Sequence, residues 1–312
     1  MEMSENHQRI EYVDIARGIA ILCIIMGHLN HAGINRIVFT FHVPVFFLIS
    51  GYFLSEKVSM TDFIRKRLKD LIFPYVVTCI AMIVGAVIKE WLLRGQTEAF
   101  HACLSWGYAA LYGAGDSYTE PFYIKSIGAI WFLWASFWGG IFLKAVLKLE
   151  SKKRIIAIAG IFAAGYISRE WFWFPFSIQA GCCAALFMYI GYLCRANQSL
   201  IQKVTVETKS AITLSAVIIW LSFIRDFQTF WLVHCDIGRG AIDIFGSLCG
   251  CYVVICISKL IEAKFTFLGK GLAWLGKYSL FMLCIHILEL NLFPWWEVTG
   301  KLMPPGMPEQ IQ

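Results

Sequence analysis

Ionisable side chains inside apolar runs are the first place to look for chemistry, because each one is costly to keep there. The first such run holds Asp14, Arg17 and His28. Asp14 and Arg17 are three residues apart, so on a helix they share a face and can pair. His28 lies a further eleven residues on, nearly three full turns and about 16 Å along the same face. His42 opens a second apolar run, and His286 lies late in the last one. With alternating run directions, all three histidines reach a similar depth. Histidine is the side chain best matched to proton transfer near neutral pH, so this convergence points to a site. Against it stands a plainer account, in which single histidines bridge helices and Asp14–Arg17 is a structural pair. A metal on three histidines is a third option, but no carboxylate or cysteine stands at ligand spacing, so no metal is expected.

A second cluster, Arg65-Lys66-Arg67 with Lys69, precedes the third apolar run. Arginine forks suit phosphate, whereas basic residues in general anchor helix ends against anionic lipid. The residue types fit both.

The elements that must position these groups follow from composition. Of 312 residues, 58% are hydrophobic and 15% charged, with a mean hydropathy of +0.65. A water-facing surface needs more charge, roughly a quarter of all residues. Apolar runs fall near 13–29, 37–54, 72–93, 127–147, 155–167, 173–194, 211–224, 239–258 and 272–293, most of them about one bilayer long. In lipid the backbone must satisfy itself, so each run reads as a helix. The expected fold is therefore all-α: a polytopic transmembrane helical bundle of nine to ten spans, forming a single domain over 1–312. A short N-terminal segment (about 1–11) and a mobile tail (about 294–312) flank it. The first run lacks a basic leader and a small-residue cleavage site, so it is expected to be a retained span.

Loop charge sets the orientation. Segments 55–71, 148–154, 195–210 and 258–277, with Arg9, carry 17 basic residues, and the opposite set carries seven. This alternation places the N-terminus in the cytoplasm and, with nine spans, the C-terminus outside. A tenth span would come from 99–113 or 226–235. The net charge of +6 is spread over these short loops, a topology signal with no nucleic-acid footprint. Of 11 cysteines, only Cys103 and Cys235 fall in expected outer loops, which allows one disulfide at most. The long outer connection, 94–126, is rich in aromatics and suits either a sugar ring or an interfacial belt.

Two stretches carry a family likeness. Val13 to His28 (VDIARGIAILCIIMGH) and Phe39 to Phe53 (FTFHVPVFFLISGYF) resemble the opening of the acyltransferase-3 family of integral-membrane O-acyltransferases. Phe63–Tyr75, Ile130–Phe137, Phe174–Tyr192 and Leu275–Leu288 follow in the family's order. The short sugar O-acetylase-like members are the most similar. Asp70 departs from the pattern, standing where a second arginine usually follows the one matching Arg67. The resemblance implies transfer of an acetyl group from acetyl-CoA to a hydroxyl of a glycan or lipid-linked sugar, in a bacterial plasma or inner membrane. It implies His28 as general base with Arg17 and Asp14 beside it, and Arg65, Arg67 and Lys69 on the donor phosphates. His42, His286, Trp131 and Ser50 would line the substrate side, with His28 or Ser50 carrying the acyl group if transfer is covalent. The competing class is a proton-linked exporter that moves a glycan, acyl group or amino acid without chemistry, which intramembrane His and Arg would also serve.

Overall fold

The computed structural model describes residues 10–29, 31–120 and 122–293. The N-terminal residues 1–9 and the tail from 294 onward lie outside the described residues. The described residues are 79% helical, and among them the only β pairing is one bridge, Tyr118 to Ile124. The all-α expectation holds.

Fourteen α-helices follow in order among the described residues. They are α1 (Glu11–Gly27), α2 (Ala32–Val38), α3 (His42–Tyr52), α4 (Met60–Arg67), α5 (Phe73–Arg94), α6 (Gln96–Tyr112) and α7 (Trp131–Val146). After these come α8 (Ser151–Ser168), α9 (Ile178–Ala196), α10 (Gln198–Lys203), α11 (Val206–Arg225), α12 (Ala241–Lys264), α13 (Thr266–Lys277) and α14 (Ser279–Leu292). Local chemistry sets several starts. Ser59 and Thr205 accept hydrogen bonds from the third residue of α4 and α11, Asp62 and Thr208, as N-caps do. Pro74 sits in the first turn of α5, where its missing N–H costs nothing.

Every expected run is helical, and the boundaries carry the differences. The run at 37–54 is two helices, broken around Phe39–Phe41. The last run is likewise two, α13 and α14, bent by 69°. A π-helical turn, Leu68–Ile72, joins α4 to α5. Among the described residues, five helical stretches are long and apolar enough to cross a bilayer, or six if the bent pair counts as one. Three further expected runs form helices of 16 to 18 residues, namely α1, α7 and α8. Helix α6 occupies one of the two places suggested for a tenth span. It packs back along α5, with the Tyr75 hydroxyl donating to Ala110 O at 2.6 Å. The chain then reverses at Gly113 (φ 60°) and returns as irregular backbone to α7.

The last part of that return is enclosed, with Ile124, Ile127 and Ile130 fully buried, whereas Phe122 and Tyr123 before it are exposed. Its polar groups are paired within the protein, Ile127 N to Ala114 O at 2.7 Å and the Ser126 hydroxyl to Gly115 O at 2.8 Å. Non-helical backbone survives at such places only with this kind of internal pairing. The one disulfide that the outer-loop placement allowed is not formed. Cys235 is fully buried near Cys182 and Cys183, Cys103 is exposed on α6, and both thiols are free.

Two helix crossings set the frame. A Cβ on Gly18 of α1 would strike the Leu272 carbonyl of α13, and one on Gly276 would strike the Asp14 carbonyl. Likewise Gly51 of α3 lies on the Met188 carbonyl, and Gly191 of α9 on the Leu48 carbonyl. Such backbone contact is how helices associate in lipid, where apolar burial supplies no drive between them. The glycines of Arg17-Gly18 and Ser50-Gly51 are thus explained by packing. Gly18→Ala should cost about 1–3 kcal/mol through overpacking. Gly160→Ala in α8, with open space around it, should be neutral or stabilising by about 0.5–1 kcal/mol. Thermal unfolding of the two variants in one detergent checks the contrast.

Candidate active site

A cavity of about 230 Å³ opens where α1 ends, between α2, the start of α3, the segment 115–132 and the turn at 230–233. His28 and His42 both line it. His28 caps the C-terminus of α1, where the last helical carbonyls lack intrahelical partners. Its Nδ1 lies 2.8 Å from Ile24 O. A carbonyl only accepts, so Nδ1 carries the hydrogen and the basic lone pair belongs to Nε2. His42 repeats the device, with Nδ1–H donating to Val38 O at the end of α2. The Phe39 ring meets His42 edge-on at 5.0 Å.

His286 comes from α14 and backs His28, outside the cavity wall. Its ring stands edge-on to His28, centroids 5.0 Å apart at 71°. His286 Nε2 is 3.4 Å from His28 Nδ1, and His286 Nδ1 is 3.1 Å from Glu289 Oε2. The three expected histidines therefore do converge: two on the cavity, one behind.

Trp131 also lines the cavity, at the first turn of α7. Its indole rests on Gly115, where any Cβ would collide with it. Ser50 does not join the cavity. Its hydroxyl accepts from Arg67 Nη2 at 3.0 Å, and the Arg67 guanidinium lies over the Phe63 ring at 5.1 Å. Arg65 and Lys69 point outward and are exposed, with Arg65 4.0 Å from Asp62. Of the expected phosphate-binding residues, Arg67 alone turns into the bundle. Asp14 and Arg17 pair at 3.4 Å near the other end of α1. There Asp14 lies beside a shallow recess bordered by Trp274 and Lys277.

Sequence reasoning missed part of the wall. Asn35 of α2, Asp116, Phe230 and Trp231 line the same cavity. Asp116 Oδ2 is 2.9 Å from His234 Nε2, and Trp231 stacks on the His234 ring. The signal for Asp116 was its place in the aromatic-rich connection, whereas 226–235 was considered only as a short span. It is instead a turn, with one 3₁₀ piece at Leu232–His234. Asn35 Oδ1 is buried without a hydrogen-bond partner among the described residues.

The split in the basic cluster has a measurable consequence. Arg67→Ala should cost about 1–3 kcal/mol, since Ser50 loses a charged partner inside the bundle. Arg65→Ala should stay within about 0.5 kcal/mol. Detergent unfolding of the two variants reads the difference.

The acyltransferase domain family model matches residues 10–304. The nodulation protein NolL of Sinorhizobium fredii (strain NBRC 101917 / NGR234) is 29% identical over 175 residues, covering 51% of this chain and 42% of that protein. The aligned part thus spans under half the length of that relative. No solved structure matches.

Proposed function

Because this chain belongs to the acyltransferase-3 family of membrane acyltransferases, we propose that it moves an acetyl group from acetyl-CoA to a hydroxyl of a cell-surface glycan or lipid-linked sugar. One observation carries this reading: His28 lines the cavity with Nδ1–H committed to a backbone carbonyl. That leaves Nε2 as a proton acceptor of fixed identity. A sugar hydroxyl is a poor nucleophile and needs such a base.

In this mechanism the acceptor hydroxyl gives its proton to His28 Nε2 as its oxygen attacks the thioester carbonyl carbon. The tetrahedral intermediate collapses, the C–S bond breaks, and His28 returns the proton to the leaving thiolate. Trp131 and Trp231 offer apolar faces for a sugar ring, and Asp116 and Asn35 offer polar atoms for its hydroxyls. His42 lines the acceptor side next to His28. Ser50 is held by Arg67 away from the cavity, which favours direct transfer over a seryl intermediate.

The donor enters from the opposite end of the bundle in this reading. Arg67 supplies the inward guanidinium for a CoA phosphate, with Arg65 and Lys69 at the entrance. Asp14 and Arg17 hold that end of α1, and the pantetheine arm spans the distance to His28. The charge bias of the loops puts this basic end in the cytoplasm of a cell with the protein in its plasma or inner membrane. The acceptor then meets His28 from the outer side.

The test is transfer of labelled acetyl from acetyl-CoA to envelope glycan in membranes carrying wild type or His28→Ala. Label should enter glycan with wild type and fall by about 10²-fold or more in the variant, the size of a lost general base. Equal transfer by both would remove His28 from the chemistry. Glycan movement without acetyl-CoA consumption would favour a carrier instead.

A further inference from the structure

The hydrogen-bond pattern behind His28 permits one assignment of protons. Glu289 Oε2 is 3.1 Å from His286 Nδ1. An ionised carboxylate only accepts, so Nδ1 of His286 carries the hydrogen and donates. The lone pair of His286 is then on Nε2, which faces His28 Nδ1 at 3.4 Å. His28 Nδ1 already carries a hydrogen, because it bonds Ile24 O at 2.8 Å. That single hydrogen is shared between the Ile24 carbonyl and His286 Nε2. No other placement satisfies all three contacts with neutral rings and an ionised Glu289.

We propose that Glu289 is a positioning residue for the acyl-transfer base, acting through His286 on His28. This rests on the reading of His28 as base. The chain of contacts has two effects. It holds the His28 ring in the tautomer with Nε2 free, and it sets a negative charge behind that ring. When Nε2 takes the hydroxyl proton, His28 becomes an imidazolium, and His286 Nε2 then accepts a stronger hydrogen bond from Nδ1–H. The proton taken from the acceptor stays on Nε2 until the thiolate receives it. Nothing needs to pass beyond His286.

Geometry also explains why this arrangement sits on α14. His286 and Glu289 are three residues apart, neighbours on one helix face. The 69° bend after α13 separates the helix that packs on the first half of α1 from the one whose ring meets its end. His42 and Asp116 are the other titratable side chains on the cavity itself, and neither bonds His28.

The experiment uses full-length protein in membranes and in detergent. Glu289→Ala should lower kcat on the order of 10- to 100-fold, less than loss of the base itself, with KM for acetyl-CoA within about twofold. Glu289→Gln keeps an acceptor for His286 Nδ1–H without the charge and should fall between. A kcat within about twofold of wild type for Glu289→Ala, or a raised KM alone, overturns the proposal. A second readout needs no acetyl transfer. Diethyl pyrocarbonate modifies the unprotonated nitrogen of imidazole, and peptide mass spectrometry reports each histidine separately. Glu289→Ala should slow modification at His28 several-fold and leave the exposed His31 and His101 unchanged as internal references. Equal rates at His28 overturn the proposal even if acetyl-CoA is the wrong donor, so failure of the donor reading stays distinguishable.

Discussion

Four glycines let backbones touch, and the rest of the bundle is arranged around those contacts. Gly18 and Gly276 bring α1 onto α13, and Gly51 and Gly191 bring α3 onto α9. Within lipid there is no hydrophobic gain from bringing two apolar helices together, so close van der Waals approach has to supply the attraction. The crossings fix α1 and α3, and with them the two places where histidines leave regular helix. Residues that look like part of a catalytic signature therefore have two duties. The charged members of the opening motif face neighbouring side chains, while the glycine next to Arg17 exists to leave space.

The histidines themselves exploit the ends of helices. A helix terminus leaves carbonyls without intrahelical partners, and His28 and His42 each donate Nδ1–H to a carbonyl at such an end, Ile24 O and Val38 O. The same hydrogen bond that satisfies the backbone decides which ring nitrogen is basic. In the proposed mechanism one contact therefore serves both packing and chemistry. A histidine in mid-helix would find its carbonyls already engaged and its tautomer undecided.

Much of this was legible in the sequence, and what was not has physical causes. The helices announced themselves through runs of bilayer length, and alternation of direction brought His28, His42 and His286 together before any coordinates. The breaks within the second and last runs were invisible because hydropathy reports burial and not backbone direction. The helix Gln96–Tyr112 was half seen: its composition is mixed, and it packs back along the helix Phe73–Arg94 before the chain returns as irregular backbone. Arg65, Arg67 and Lys69 look alike in sequence, yet only Arg67 turns inward, onto Phe63 and Ser50. Asp116 and Trp231 escaped because they reach the cavity from loops distant in sequence, and no periodicity marks a side chain on irregular backbone. The shared end of His28 and His286 was readable; the carboxylate behind them required knowing which face of α14 meets α1.

The irregular return from Gly113 to α7 divides responsibilities within the molecule. One wall of the cavity is made of helix ends, where a change of residue disturbs the crossings that hold the bundle. The other wall is loop, with Asp116 and the 230–233 turn facing inward, tied to each other by the Asp116–His234 contact and by the Tyr118 hydroxyl donating to Val233 O. In the proposed reading such a scaffold separates chemistry from recognition: the histidine taken as base belongs to the frame of helices, whereas the shape offered to the incoming molecule belongs to the loops.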